Sequence, residues 1–183
     1  MDNPHARDVD LAYLAGVIDG EGTITLERNG TRRLHGQMGF SPKVIVANTN
    51  HALLQRVVNV FDALGVNPHI KTQAAGSNNR GRMMYWIVVA GLAKCGRILR
   101  PILPHLVAKD GQARIVLDFI ERRGDPALAK GKPYGEYELG LVEKIRALNI
   151  RGASETEDPG LWRPSRNARQ MTVQPNGKPL EGH

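Results

Sequence analysis

The chain has 183 residues, 41% of them hydrophobic and 5% aromatic, with one cysteine and a formal net charge of +7. A chain of that length buries a core without staples, and the lone Cys95 excludes both a disulfide framework and a cysteine-rich zinc site, so a reducing compartment is expected. No run approaches the roughly 18 apolar residues of a membrane span, and "MDNPHARDVD" lacks a signal peptide's apolar centre; the expectation is a soluble intracellular protein with no membrane contact, in cytoplasm or organelle matrix alike.

A first helix is expected to start near Asp8 or Asp10, either able to cap free amides, and to run through Ile18 or Asp19. Leu11, Leu14, Ala15 and Ile18 form its core stripe, while Ala12, Gly16 and Asp19 form a second stripe of small or short side chains. Glycine inside a helix costs on the order of 1 kcal/mol relative to alanine, so Gly16 points to close approach by another backbone. The Gly20-Glu21-Gly22 step that follows is read as a sharp turn, which presents the Glu21 carboxylate at the end of a rigid element. A hard cation such as magnesium suits that position, because it takes one or two protein carboxylates and otherwise keeps water and substrate phosphate.

"TITLER" alternates as a strand with Ile24 and Leu26 on one face, "NGTRRLHG" supplies turn residues and charge, and "KVIVAN" makes a second strand, which together predict a long basic hairpin. Asn48, Thr49 or Asn50 can cap the next helix, whose stripe of Leu53, Leu54, Val57, Val58, Phe61 and Leu64 stops at Gly65. The order then repeats: "HIKTQ" as a short strand, "AAGSNNRGR" as a turn, "MMYWIVV" as an apolar strand, and "AKCGRILRPIL" as a helix interrupted by Pro101 and Pro104. His105 to Arg123 is expected to continue helically, and "YELGLVEKIRALN" gives one more amphipathic helix. The domain is expected to span 1–154. From Glu155 to His183 the chain is polar, rich in proline and glycine, and reads as a disordered tail in which Arg163, Arg166, Arg169 and Lys178 occur without an intervening acid; such a tail is either merely solvated or tracks a nucleic-acid backbone.

The charge is concentrated. Between Thr23 and Val89 eight Lys/Arg stand against Glu27 and Asp62, which accounts for +6 of the +7 and points to a polyanionic partner.

The segment "LAGVIDGEG", Leu14 to Gly22, resembles the signature of the LAGLIDADG homing endonucleases: Leu14, Ala15, Gly16, Ile18, Asp19 and Gly22 agree with it, Val17 replaces Leu, Gly20 replaces Ala, and Glu21 replaces the last Asp. The α-β-β-α-β-β-α order is also that family's core. The resemblance implies an α+β homing-endonuclease fold, with a twisted, saddle-like antiparallel sheet and additional C-terminal helices. It further implies that two signature helices pack side by side, with Ala12, Gly16 and Asp19 at the interface, and that each delivers Glu21 to a metal also held by the Gly20 carbonyl. One motif per chain then predicts a homodimer on a palindromic or pseudo-palindromic target.

The sheet's exposed face and hairpin tips would enter the major groove, with Arg28, Arg32, Arg33, Gln37 and Lys43 on the first hairpin and Lys71, Gln73, Asn78, Asn79, Arg80 and Arg82 on the second as donors. "LPHLVAKDGQARIVLDFI" is similar to the family segment that brings a lysine to the active site, and Lys109 holds that place. The family's other polar active-site residue falls at Asn48 or Thr49, and its arginine has no basic counterpart at Ala52 or Leu53. The implied activity is Mg2+-dependent hydrolysis, with Mn2+ as a substitute ion, of both strands of double-stranded DNA and with no small-molecule cofactor. The alternatives are an RNA maturase that assists intron splicing and a DNA-binding regulator on the same fold.

Overall fold

The first helix, α1, runs from Pro4 to Glu21 and is longer than expected at both ends. Asp8 and Asp10 do not begin it; their carboxylates reach sideways to His105 (3.3 Å) and Arg56 (3.1 Å), and Pro4 starts the helix where its missing N–H costs nothing. The computed structural model describes residues 4–34, 37–73, 83–125 and 133–150, leaving aside the side chains of 4–6, 29–34 and 37–38. The domain boundary expected at 154 and the tail reading lie outside the described residues.

At its other end α1 passes without a turn into β1, Gly22–Leu34, so Glu21 is the last helical residue and not the apex of a loop. The glycines that bracket it differ in purpose. Neither is among the glycines with positive φ, which among the described residues are Gly65 and Gly91. A Cβ at Gly22 would stand 2.7 Å from the Ile18 carbonyl oxygen and 2.8 Å from its Cα, which only glycine avoids. A Cβ at Gly20 would meet no heavy atom within 4 Å among the described residues.

The second strand, β2, spans Gln37–Asn48, and the hairpin is longer than the turn residues predicted. "NGTRR" is not its turn: pairing continues through Asn29↔Gly39, slips, and resumes at Arg33↔Met38 and Leu34↔Gln37, so the extra residues form a bulge within β1. Helix α2, His51–Ala63, is capped by Asn50, whose side chain accepts from the Leu53 amide at 3.2 Å. It stops where expected: Gly65 takes φ of 67°, its amide donates to the Asp62 carbonyl, and the Val66 amide donates to that of Phe61.

Strands β3, His69–Gln73, and β4, Met84–Ala90, complete an antiparallel sheet of order β1-β2-β4-β3. Helix α3, Leu92–Ile102, contains Pro101 in its last turn, where the ring removes one closing hydrogen bond without stopping the helix; a 3-10 turn, Leu103–His105, follows it. The expected continuous helix from His105 to Arg123 is broken. Leu106–Lys109 is non-helical, and α4 begins only at Asp110 and ends at Gly124. The last helix among the described residues, α5, is Glu136–Leu148, as its periodicity predicted.

Alternation on the strands divides the sheet. Ile24, Leu26, Val44, Val46, Ile87 and Val89 are buried on one face, against Leu14, Ile18, Phe61, Ile98, Leu99 and the apolar stripes of α4 and α5. The other face carries Thr23, Thr25, Glu27, Lys43, Ile45, Trp86, Val88, Lys71 and Gln73, exposed or half-buried, with no helix across it among the described residues. The α+β order α-β-β-α-β-β-α with two added helices is the fold that the motif implied. Among the described residues no helix is long and apolar enough to cross a membrane.

Candidate active site and nucleic-acid interface

The site is built at the C-terminal end of α1. That end is electronegative: the last carbonyls of the helix point out of it, Asp19 and Glu21 add their charges, and no basic residue occupies the last turn. Glu21 is exposed. Asp19, one face round, is half-buried, and its carboxylate accepts the Val107 amide at 2.8 Å and the Lys109 amide at 2.9 Å. These two bonds hold Leu106–Lys109 out of helical conformation and lay the segment against α1. The Lys109 ammonium then donates to the Asp19 carbonyl oxygen.

Lys109 is thereby the cation of this helix end. Burial pushes its amine below the ordinary lysine range, while the charges of Asp19 and Glu21 pull the other way. The direction records an ammonium partly stripped of water, bonded to the Asp19 carbonyl oxygen and within the influence of two carboxylates, where its charge acts on an anion brought alongside.

The donor set also bears on a metal. Among the described residues no three or more His, Cys, Asp or Glu side chains gather where they would cage an ion, and with Asp19 committed to two amides the one acid left open to solvent at this helix end is Glu21. That set fits a hard cation that would take a single carboxylate and a main-chain carbonyl and fill its remaining positions with water and phosphate; it does not fit an all-protein cage.

Of the small-residue stripe, Ala12 and Gly16 are exposed, and a Cβ built on Gly16 would meet no heavy atom within 4 Å among the described residues. The close approach that Gly16 was expected to serve is therefore not made by any described part of this chain. Asp19 was expected in the same stripe, yet its carboxylate is turned to the Leu106–Lys109 segment; the open small face is Ala12, Gly16 and Gly20. Asn48 ends β2 and accepts the Asn50 amide at 2.8 Å, so part of its side chain is engaged in shaping the start of α2; Thr49 beside it is half-buried.

The expected DNA donors are placed unevenly. Lys71 and Gln73 are exposed on β3, on the open face. Lys43 faces the same side but is ion-paired with Glu27 across the hairpin. Arg28 is exposed, yet it pairs with Phe40 and by alternation shares the side of Ile24 and Leu26. The side chains of Arg32, Arg33 and Gln37, and all of Asn78, Asn79, Arg80 and Arg82, lie outside the described residues. Two features escaped the sequence. One is the Asp19 clamp, whose only signal was a second acid in the motif, two residues before Glu21. The other is a buried Arg123–Glu138 pair (3.5 Å, side chains 8% and 3% exposed), for which no local periodicity gives warning.

Comparison with known proteins agrees with the fold. The profile of the LAGLIDADG-like domain matches residues 8–102. Among solved structures, the homing endonuclease I-CvuI in complex with its target superposes with a TM-score of 0.63 at 20% identity, over 83% of this chain and 89% of that one. An archaeal intron-encoded homing endonuclease complexed with DNA superposes with a TM-score of 0.60 at 15% identity, over 82% and 90%. The LAGLIDADG homing endonuclease I-GzeII, in complex with a DNA target, gives 0.53 at 14% identity, over 94% of this chain and 53% of that one. The I-CvuI complexes were obtained in the presence of calcium or magnesium. No curated protein sequence matches the chain.

Proposed function

This chain belongs to the family of LAGLIDADG-like domains, and from that premise we propose that it is a divalent-metal-dependent, site-specific endonuclease that cuts both strands of double-stranded DNA as a homodimer. The observation that carries the reading is the convergence of Glu21 and Lys109 on one helix end: an open carboxylate beside a partly desolvated ammonium, reached only because Asp19 folds the Leu106–Lys109 segment back onto α1.

In this reading Glu21 and the Gly20 carbonyl hold the ion, magnesium or in its place manganese. When bound, the ion supplies activation of water and neutralisation of the leaving oxygen's charge. Lys109 holds its positive charge beside the scissile phosphate and opposes the negative charge that builds on it in the transition state. Asn48 or Thr49 serves as the further polar residue of the site. The exposed Ala12, Gly16 and Gly20 face seats the same face of a second copy, which brings two Glu21 carboxylates to one centre and imposes twofold symmetry on the target. Lys71 and Gln73 on the open face, with the outer residues of both hairpins, contact the DNA grooves.

The test is to incubate the protein and magnesium with a randomised duplex library. Cleavage at one roughly twofold-symmetric site is expected, lost in Glu21→Gln with target binding kept, and slowed in Lys109→Met with little change in affinity. Cutting by Glu21→Gln at the wild-type rate, or binding of structured RNA with no DNA cleavage, would overturn the proposal.

A further inference from the structure

The first hairpin is longer than the strand beside it. Strand β4 stops pairing with β2 at Lys43↔Ala90, and the last link on that side is the Gly91 amide to the Pro42 carbonyl at 3.0 Å. Beyond it β2 continues outward toward Gln37, and its edge on that side has lost its neighbour. The next residue whose main-chain groups face that side is Phe40. Both are taken by one side chain: the Tyr134 hydroxyl accepts the Phe40 amide at 3.0 Å and donates to the Phe40 carbonyl at 3.3 Å. A hydroxyl can do both at once because it carries one donor and two acceptor positions. It satisfies an edge residue as a further strand would.

The tyrosine is itself held rigidly. Its ring stacks on Phe119 with centroids 6.0 Å apart and meets the Phe40 ring edge-on at 5.6 Å. The Arg123 guanidinium lies 4.7 Å over the ring and is paired with the buried Glu138, whose other oxygen accepts the Gly135 amide at 2.7 Å. The ends of α4 and α5 thus converge on one hydroxyl, and that hydroxyl grips the sheet just inside the point where the hairpin register slips after Asn29↔Gly39. Arg32 lies in the slip itself and Arg33 and Gln37 beyond it, all in the outer half of the hairpin.

We propose that Tyr134 is a positioning residue for DNA recognition: its hydroxyl stands in for a strand at the root of the β1–β2 hairpin and fixes the angle at which the outer half of the hairpin meets the target. The role rests on the endonuclease reading above. A rigid root makes contacts in a groove selective, because donors must lie within a few tenths of an ångström of base-edge acceptors to distinguish them. Contacts to phosphate tolerate a looser approach and carry no sequence information. Loss of the hydroxyl should therefore fall on discrimination and spare general affinity.

Tyr134→Phe in the full chain is the test, because it removes the hydroxyl and keeps every ring contact. Hydrogen exchange of the Phe40 amide is measured first and needs no DNA. The expected result is exchange at least about tenfold faster than in the wild type. Affinity for the site recovered from the randomised library is then compared with affinity for random duplex; the ratio is expected to fall about tenfold, with random-duplex affinity within about twofold of wild type. Unchanged Phe40 exchange would overturn the strut itself. Faster exchange with an unchanged ratio would leave Tyr134 a structural residue only and overturn the positioning role. A wild-type protein that shows no sequence preference on DNA would overturn the endonuclease reading, and the positioning role with it, while the exchange result would still decide whether the strut exists.

Discussion

Replacing Asp19 by asparagine separates two assignments of the same carboxylate. The Asp19 oxygens accept two main-chain amides, those of Val107 and Lys109, at 2.8 and 2.9 Å. A hydrogen bond to a charged acceptor contributes about 1.5–3 kcal/mol net. The two are unequal here, because Val107 is 88% exposed and its amide can turn to water, whereas Lys109 is half-buried. The asparagine side chain would keep one carbonyl oxygen for one amide and place its NH2 group against the other, a donor facing a donor. A loss of about 1.5–2 kcal/mol follows, which for a domain of this size lowers the melting temperature by roughly 3–8 °C.

The effect on activity should be larger than the effect on folding. Lys109 reaches the end of α1 only while Leu106–Lys109 is fastened there, and a misplacement of about 1 Å at a reacting centre can cost on the order of a hundredfold in rate. Asp19→Asn is therefore expected to slow single-turnover cleavage about 10–100-fold while target affinity, carried by the sheet, stays near wild type. Thermal melting, single-turnover kinetics and sedimentation on one preparation decide the matter. Wild-type melting together with a wild-type rate would refute the clamp. Dissociation of the dimer with the other two unchanged would return Asp19 to the interface stripe to which its helix spacing first assigned it.

Gly16→Leu should abolish dimer formation and double-strand cutting together, because a large side chain cannot sit where two helix backbones meet; a leucine variant that sediments and cuts as wild type would remove this face from the interface. The two glycines around Glu21 should respond in opposite ways to alanine. Gly22→Ala drives a Cβ to 2.7 Å from the Ile18 carbonyl oxygen and should cost about 1–3 kcal/mol by denaturant unfolding, whereas Gly20→Ala adds a methyl that meets nothing among the described residues of its own chain and, measured at concentrations where the chain is monomeric, should leave folding unharmed or gain up to about 1 kcal/mol from helix propensity; equal losses would contradict the geometry. The Cys95 thiol is fully buried, and that burial, only partly offset by a backbone hydrogen bond, pushes its pKa up to about 12. Thiol reagents at pH 8 should not label it until the chain unfolds, when it returns to an ordinary value near ~8.5. Because the folded pKa is the higher one, this group's contribution to stability is whole below the unfolded value and is lost as pH rises from there toward the folded one. Rapid native-state labelling would refute the burial.

What was legible in the sequence was what repeats locally. "YELGLVEKIRALN" became α5 because a period of 3.6 residues states which face is buried, "HIKTQ" became β3, all five of its residues exposed, as its strand-forming residues beside a turn run predicted, and Gly65 stopped α2 because a helix end there needs a positive φ. The place of two proposed site residues was legible too: Glu21 as the acid at the end of α1, and Lys109, through its resemblance to a family segment, as a lysine that reaches that same end. What was not legible depends on partners far along the chain. Nothing near residue 107 announces that its amide belongs to an aspartate 88 residues earlier, and nothing near Tyr134 announces an edge 94 residues away. A helix was therefore predicted where a carboxylate from α1 claims the amides that helix would have used. The stripe on α1 shows the limit most plainly. At about 100° per residue Asp19 and Gly20 flank the line through Ala12 and Gly16 on either side, so spacing admits both to one face. Only the Leu106–Lys109 segment, by closing over the Asp19 edge and leaving the Gly20 edge bare, divides that stripe into an anchor for Lys109 and an open surface, and Gly16, Asp19 and Gly20 all fall within the nine residues of Leu14 to Gly22.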